Sequence, residues 1–408
     1  MLTIGSMPRK VKGFFRPLEQ EFFRPGWGHF WRLVLAIAIS RNATLERLTG
    51  LMCSPVHRTK HGEFLWKSRW DSARLVRLIA LLLLRALYRK DGGPCYLIID
   101  ETQFVKRGKK MAAVGKIFHH ASKTFATGHS VLKVCLWYRG VTIPWGCWLY
   151  VKKGDAASLK VPFRTLVDLA VQAIEGADLP GKLKVTVLFD SYYLCGPVVQ
   201  ACRQRGWHFI GMAKSNRRFH VQGADRRLRD YGRNFLRRHG QWHRLAGSKG
   251  RQTAYCLAER IGAMNKLGAV KVVFSRRRNE SQSVALVTDD LQATARDAVA
   301  TYLKRWAIEL LIKDEKQHLG LGDYRVLRYE AVTRHLHLVD CAYGCLTRLA
   351  LDGASAKGAK QPKVLCLPSI SQLKDRMRQV VWQDRVEDVI RSVHDRRVLR
   401  RLEALRAA

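Results

Sequence analysis

The chain has 408 residues, 47% of them hydrophobic, with 73 Lys and Arg against 33 Asp and Glu and a formal net charge of +40. That is enough apolar material for a buried core in roughly two to four domains, which excludes a disordered basic tail. A surplus this large repels itself in the folded state, so a polyanion is the natural partner. Its spread along the whole chain favours nucleic acid over a membrane. An Arg-rich genome is the bland alternative, and it is compatible with DNA binding.

Residues 1–90 read as helical. Ser54-Pro55 resembles an N-cap followed by proline at the first helical position, and Asn42 or Thr44 suits the cap of a neighbouring helix. His57, Arg58, Lys60, Lys67 and Arg69 lie among these short helices, in the manner of a helix-turn-helix DNA reader. The apolar runs Leu33–Ile39 and Leu75–Leu84 are too short to span a bilayer, and Arg77 interrupts the second. They are expected to be buried helices, and no membrane partner is expected. The ten cysteines include no CxxC pair, and Cys341 and Cys345 fit one buried helix face. With no signal peptide in view, reduced thiols in a bacterial cytoplasm are expected, the protein joining the nucleoid when DNA-bound.

Asp91-Gly-Gly-Pro94 breaks the helical texture. Strands are predicted at Tyr96–Ile99, Ser130–Tyr138 and Thr142–Val151, with turns at Lys106–Lys110 and Ser122–Gly128. A helix over Ser158–Gly176, a strand at Val185–Phe189, a helix to Arg205 and a strand at Trp207–Ala213 complete a mixed α/β pattern. Residues 214–251 then hold twelve Lys or Arg against Asp225 and Asp230. Phe219, Tyr231, Phe235 and Trp242 are interleaved, as a surface that grips phosphates and stacks bases would require. Strands at Ala254–Ala258, Val270–Ser275 and Ser283–Thr288 follow, with a basic turn at Arg276-Arg277-Arg278. A helix is predicted from Thr294 to His318, stopped by Gly320 and Gly322. Beyond a linker at Asp352–Lys363, the tail from Ser369 is helical and Arg-rich.

Three acids stand out. Asp100 and Asp190 each close a short apolar run, Tyr-Leu-Ile-Ile-Asp100 and Val-Thr-Val-Leu-Phe-Asp190. Functional groups of α/β sheets gather at such strand ends, although either Asp could simply cap a helix. Glu309 lies in the Thr294–His318 helix with Tyr302, Arg305 and Lys316 projecting within roughly 40° of it. The alternative is an exposed face with one Arg–Glu pair. Glu101 should face away from Asp100 along the strand, and Glu315 away from Glu309 along the helix. His119, His120 and His129 lack metal spacing and are expected to be structural or DNA-facing.

The spacing Tyr302-x2-Arg305-x3-Glu309-x6-Lys316 resembles the signature of DDE transposases of the insertion-sequence-four superfamily. The Ile-Asp100-Glu-Thr and Phe-Asp190-Ser segments and the β-rich insertion before the Glu are similar to that group too, over about residues 92–345. The resemblance implies an RNase H-like mixed sheet flanked by helices, divided as follows. A helical DNA-binding region (1–90) precedes a catalytic domain (92–213 and 290–350), which is interrupted by the basic β-rich insertion (214–289). A basic helical region (351–408) ends the chain. It further implies that Asp100, Asp190 and Glu309 hold two Mg²⁺ ions, replaceable by Mn²⁺, while Tyr302, Arg305 and Lys316 contact DNA. The implied activity is cut-and-paste transposition of double-stranded DNA, acting on terminal inverted repeats and a target, by a homodimer in the synaptic complex. A nuclease or resolvase on the same fold, and a non-catalytic DNA-binding derivative, are the competing readings.

Overall fold

A computed structural model describes residues 4–53, 56–88, 90–108, 110–119, 122–246, 252–355 and 364–393. Helices open the chain: α1 (Arg9–Phe15), α2 (Arg24–Ile39), α3 (Leu45–Thr49), α4 (Arg58–Trp66) and α5 (Ser72–Leu87). Four strands follow, β1 (Gly93–Val105), β2 (Gly115–His119), β3 (Thr124–Tyr138) and β4 (Val141–Leu149). Then come α6 (Lys153–Ala156), α7 (Leu166–Glu175), β5 (Leu183–Phe189), α8 (Gly196–Gln204) and β6 (His208–Ala213). The basic stretch contributes β7 (Arg218–Val221), β8 (Ala224–Arg227), α9 (Leu228–His239), β9 (Gln241–Ala246), β10 (Gln252–Met264), β11 (Gly268–Arg277) and β12 (Val284–Thr288). Last are α10 (Ala295–Tyr302), α11 (Trp306–His318), α12 (Tyr329–Ser355) and α13 (Ile370–Val393).

The described residues divide into two compact units. One draws on Met1–Ala86, Lys110–Ala112 and Lys313–Ala408, the other on Leu87–Lys109 and Ala113–Ile312. The first is helical. α2 buries a continuous run from Leu33 to Ile39, and α5 buries Leu75, Val76, Ile79, Ala80, Leu83 and Leu84. This is why both stretches are so apolar. No helix among the described residues is long and apolar enough to cross a membrane. α12 runs through this core and buries Cys341 and Cys345, the helix-core role their spacing suggested. Where α5 meets α12, Gly344 has no room for a side chain, since a Cβ there would stand 2.5 Å from Ile79 Cγ2. α13 closes the unit. Its Lys374 ammonium donates to the carbonyls of Ser40 and His318, and Arg378 Nε donates to Ile39 O at 2.9 Å. Cations thereby satisfy carbonyls left over at the ends of α2 and α11. Burial pushes the Lys374 ammonium down to about 8.

The second unit is built on one twelve-stranded sheet in the order β2-β3-β1-β5-β6-β12-β11-β10-β7-β8, with β4 on β3 and β9 on β10. β1, β5 and β6 are parallel to one another, while β3 and β12 flank them antiparallel. Such a mixed sheet flanked by helices, with helical regions at both ends of the chain, matches the expected fold class. The strands after residue 214 extend the sheet directly, because β12 pairs with β6. Two tight turns show the backbone chemistry. Arg139-Gly140 between β3 and β4, and Gln222-Gly223 between β7 and β8, both take positive φ at each position, which suits two-residue hairpins.

Several sequence expectations need correction. The helix predicted over Ser158–Gly176 starts only at Leu166, because Pro162 disfavours helix before it. Thr165 and Asp168 then form a capping box. β2 lies in a stretch read without a strand, and β3 begins inside the predicted Ser122–Gly128 turn. Arg276 and Arg277 belong to β11 rather than a turn. The aromatics of the basic stretch mostly serve packing. Tyr231 stacks on Phe235 at 5.2 Å, both lie against Phe274, and Phe219 is fully buried. Only Trp242 of the four remains largely exposed. Asn42 Oδ1 accepts from Thr44 N at 2.9 Å before α3, whereas Ser54-Pro55 lies outside the described residues. So do His120, Lys249, Arg251 and most of the expected 352–363 linker. Within that linker, α12 extends to Ser355.

α9 packs through Leu228, Tyr231, Gly232, Phe235 and Leu236, a helical stripe with its glycine in the middle. A Cβ on Gly232 would stand 2.5 Å from Phe274 Cδ1, and that ring is itself buried and cannot swing away. Alanine gains about 1 kcal/mol of helix propensity, but overpacking costs about 1–3 kcal/mol. An approach of 2.5 Å to an immobile ring puts the cost in the upper part of that range, so Gly232→Ala is expected to lower stability by about 1–2 kcal/mol in urea titration. Equal or higher stability would contradict this packing.

Candidate active site

Asp100 lies inside β1 rather than at its end, because pairing with β3 continues to Val105. What ends nearby is the parallel pairing with β5, whose last partners are Ile98 and Leu188. Asp100 and Asp190 each stand two residues past that pair, on neighbouring parallel strands about 4.8 Å apart. The same alternation therefore aims both carboxylates to one face of the sheet.

Phe189 closes β5, and its carbonyl accepts a 3.3 Å hydrogen bond from Tyr302 Oη at the end of α10. Leu303–Arg305 then form a turn of 3₁₀-helix before α11, so the predicted Thr294–His318 helix is interrupted at that point. Lys304 holds this turn. Its Nζ sits 5.0 Å from the Tyr96 ring centroid and 5.7 Å from that of Trp137, directly opposed residues of β1 and β3. The turn brings Arg305 to the acids: Nη1 donates to Asp100 Oδ2 at 2.9 Å, and Nη2 contacts Glu309 Oε1. The Arg305 guanidinium also lies 5.8 Å from the Tyr302 ring centroid.

The structure thus brings Asp100, Asp190, Tyr302, Arg305 and Glu309 together within the sheet unit. Lys316, on the last turn of α11, belongs to the helical unit. Glu101 does turn to the other face, where its Oε1 accepts from Ser130 Oγ at 2.5 Å and Gln103 Nε2 at 3.2 Å. Glu315 is fully buried in the helical unit. His129 is buried in β3, and His119 Nδ1 lies 2.9 Å from Ser122 Oγ on the surface.

Electrostatics mark Asp100 as the strained member. Burial raises its pKa to about 6; Arg305 and a hydrogen bond from Glu101 N pull it down, while Asp190 and Glu309 push it up. Asp190 Oδ1 accepts from Tyr192 N at 2.9 Å. Burial raises the Tyr302 phenol to about 12, so it is a neutral donor at physiological pH. Tyr193 was not anticipated from the sequence. Burial and the carboxylates of Glu101, Asp100 and Asp190 drive its pKa far upward. Among the described residues its buried hydroxyl has no hydrogen-bond partner. The only sequence signal was its position three residues after Asp190.

Asp100 and Glu309 share one guanidinium while Asp190 acts on Asp100 beside them, leaving excess negative charge and an orphaned hydroxyl. Hard oxygen donors of this kind suit Mg²⁺ or Mn²⁺. Among the described residues no three His, Cys, Asp or Glu side chains close round a single ion as they stand. Arg305 bridges two of the acids instead.

The mixed sheet, with Asp100 and Asp190 beyond the paired ends of adjacent parallel strands and Glu309 on a later helix, is consistent with an RNase H-like DDE fold. The chain belongs to the DDE superfamily endonuclease family, whose pattern matches residues 33–258. Membership identifies it with DNA-cutting enzymes that generally use divalent metals. The match includes Asp100 and Asp190 and ends before Glu309. No curated protein matches the chain.

Proposed function

We propose that the protein is an insertion-sequence transposase of the insertion-sequence-four type, cutting DNA at element ends and joining it to a target. The observation that carries this reading is the pairing of Arg305 with both Asp100 and Glu309, with Asp190 close enough to act on Asp100, in a chain of net charge +40. Asp100, Asp190 and Glu309 would hold two Mg²⁺ ions, with Mn²⁺ substituting. Bound there, the ions supply positive charge to the attacking and leaving oxygens of an in-line displacement.

The chain's own residues do the rest. Arg305 exchanges its carboxylate partners for phosphate oxygens, a grip that its planar fork can make bidentate. Tyr302 offers a neutral hydroxyl, and Lys316 a point charge to the DNA backbone. In the first step a water oxygen bonds to phosphorus while the P–O3′ bond breaks, and the departing oxygen becomes a 3′-hydroxyl. In the second, that hydroxyl bonds to a target phosphorus and displaces another 3′-oxygen. The N-terminal helices (1–90) and the basic stretch (214–289) would bind the terminal inverted repeats, and two copies would pair the ends. The catalytic residues would come from 92–213 and 290–350. A bacterial cytoplasmic, nucleoid-bound location follows from that role.

The test uses duplexes carrying the inverted repeats that flank the coding gene, incubated with Mg²⁺ or with chelator. Metal-dependent nicks at the repeat boundary and strand-transfer products are expected. Nicks without transfer products would favour a nuclease or resolvase. Binding with no nicking in Mg²⁺ or Mn²⁺ would favour a non-catalytic derivative.

A further inference from the structure

The inner stripe of α9 is spent on the sheet. Its outer face carries Arg229, Arg233 and Arg237, every fourth residue and so about 6 Å apart along the axis. All three are exposed. Among the described residues none of them pairs with a carboxylate, and two acids of the same stretch are engaged elsewhere. Glu280 pairs with Arg277 at 3.3 Å, and Asp225 with His220 at 3.2 Å. Asp230 is the single acid on the helix.

A second feature adjoins this row. Arg229 and Arg233 form one wall of a cleft of about 180 Å³ whose other walls are Ser215, Ser281, Gln282 and Ser283. Arg229 N donates to Ser215 O at 3.0 Å, which fixes the helix start against that wall. The cleft thus combines two guanidinium forks with three hydroxyls and an amide, and no carboxylate lines it. Forked cations backed by hydroxyl donors suit tetrahedral phosphate oxygens.

We infer that the cleft between α9 and the Ser281–Ser283 segment is a phosphate-binding site, and that α9 lies along the backbone of duplex DNA. Arg229 and Arg233 take one phosphate in the cleft, and Arg237 continues the row toward the next. The helix anchors DNA without reading its sequence, since arginine offers donors alone and the cleft favours an oxyanion over a base edge. This rests on the reading of the chain as a DNA enzyme and adds where the duplex is held.

The test measures anisotropy of a fluorescein-labelled duplex of arbitrary sequence in chelator, over about 50–200 mM KCl. Arg229→Gln/Arg233→Gln is expected to bind roughly tenfold more weakly, with the slope of log K against log salt reduced by about one per residue removed. The control is Lys182→Gln/Lys184→Gln, an equal charge change on exposed residues at the opposite end of β5 from Asp190. A control slope that falls as far would reduce the effect to net charge and overturn the site. An unchanged slope in the arginine variant would overturn it as well, and so would a loss confined to particular sequences. Because no metal is present, failure of the catalytic reading leaves these outcomes unaffected. A null result here equally leaves cleavage intact.

Discussion

Asp100→Asn, Asp190→Asn and Glu309→Gln are each expected to lower metal-dependent strand cleavage by about a thousandfold or more, about 4 kcal/mol of barrier. Each change keeps the volume of the side chain and removes one charge, so the fold should survive. DNA affinity should survive as well, because the chain keeps its excess of cations. Rates on end-labelled duplexes, with anisotropy as the binding control, check this. A variant cutting within about tenfold of the parent loses its assignment. Glu309 makes the sharpest case, since the family match stops before it and its role rests on the contact with Arg305.

Without metal, one of these variants should be more stable than the parent. The Asp100 carboxyl is raised from 3.8 to about 6, so the folded state holds its proton more tightly than the unfolded chain does. The stability linked to that proton is fully present below about pH 3.8 and is lost as pH rises through about 6. At pH 7.5 the ionised group is then a liability of roughly 1–3 kcal/mol. Asp100→Asn in chelator should raise the denaturation midpoint at pH 7.5, and the gain should vanish near pH 4. Adding Mn²⁺ should stabilise the parent more than the variant, because a ligand bound only to the folded state adds to its stability. A variant less stable at pH 7.5 would make Asp100 a structural partner of Arg305 and count against the metal reading.

Much of the sheet was legible because its strands are short apolar runs bounded by turn residues: Val185–Phe189 reads as β5 on sight. Glu309 and Arg305 were legible as an i,i+4 pair on one helix. What the sequence concealed were choices made by tertiary neighbours. Asp100 looked like a strand end, yet β3 supplies partners as far as Val105. Tyr231 and Phe235 looked available for bases, yet Phe274 claims them from a strand 39 residues away, counting from Phe235. Tyr193 and Lys304 gave no pattern, since their roles arise only once β1, β3 and β5 lie side by side.

The sheet's two ends carry a further consequence, for how the protein survives in a crowded solution. An open sheet of twelve strands exposes unpaired backbone at its margins, a template for aggregation. Of the edge strands, β2 of five residues, β8 of four and β9 of six are short and present Lys116, Arg226-Arg227 and Arg244 to solvent, while β4 of nine is buried along most of its length. Charge on so brief an edge discourages a neighbouring molecule from adding its own strand. The same cations that draw the protein to DNA keep its copies from polymerising edge to edge.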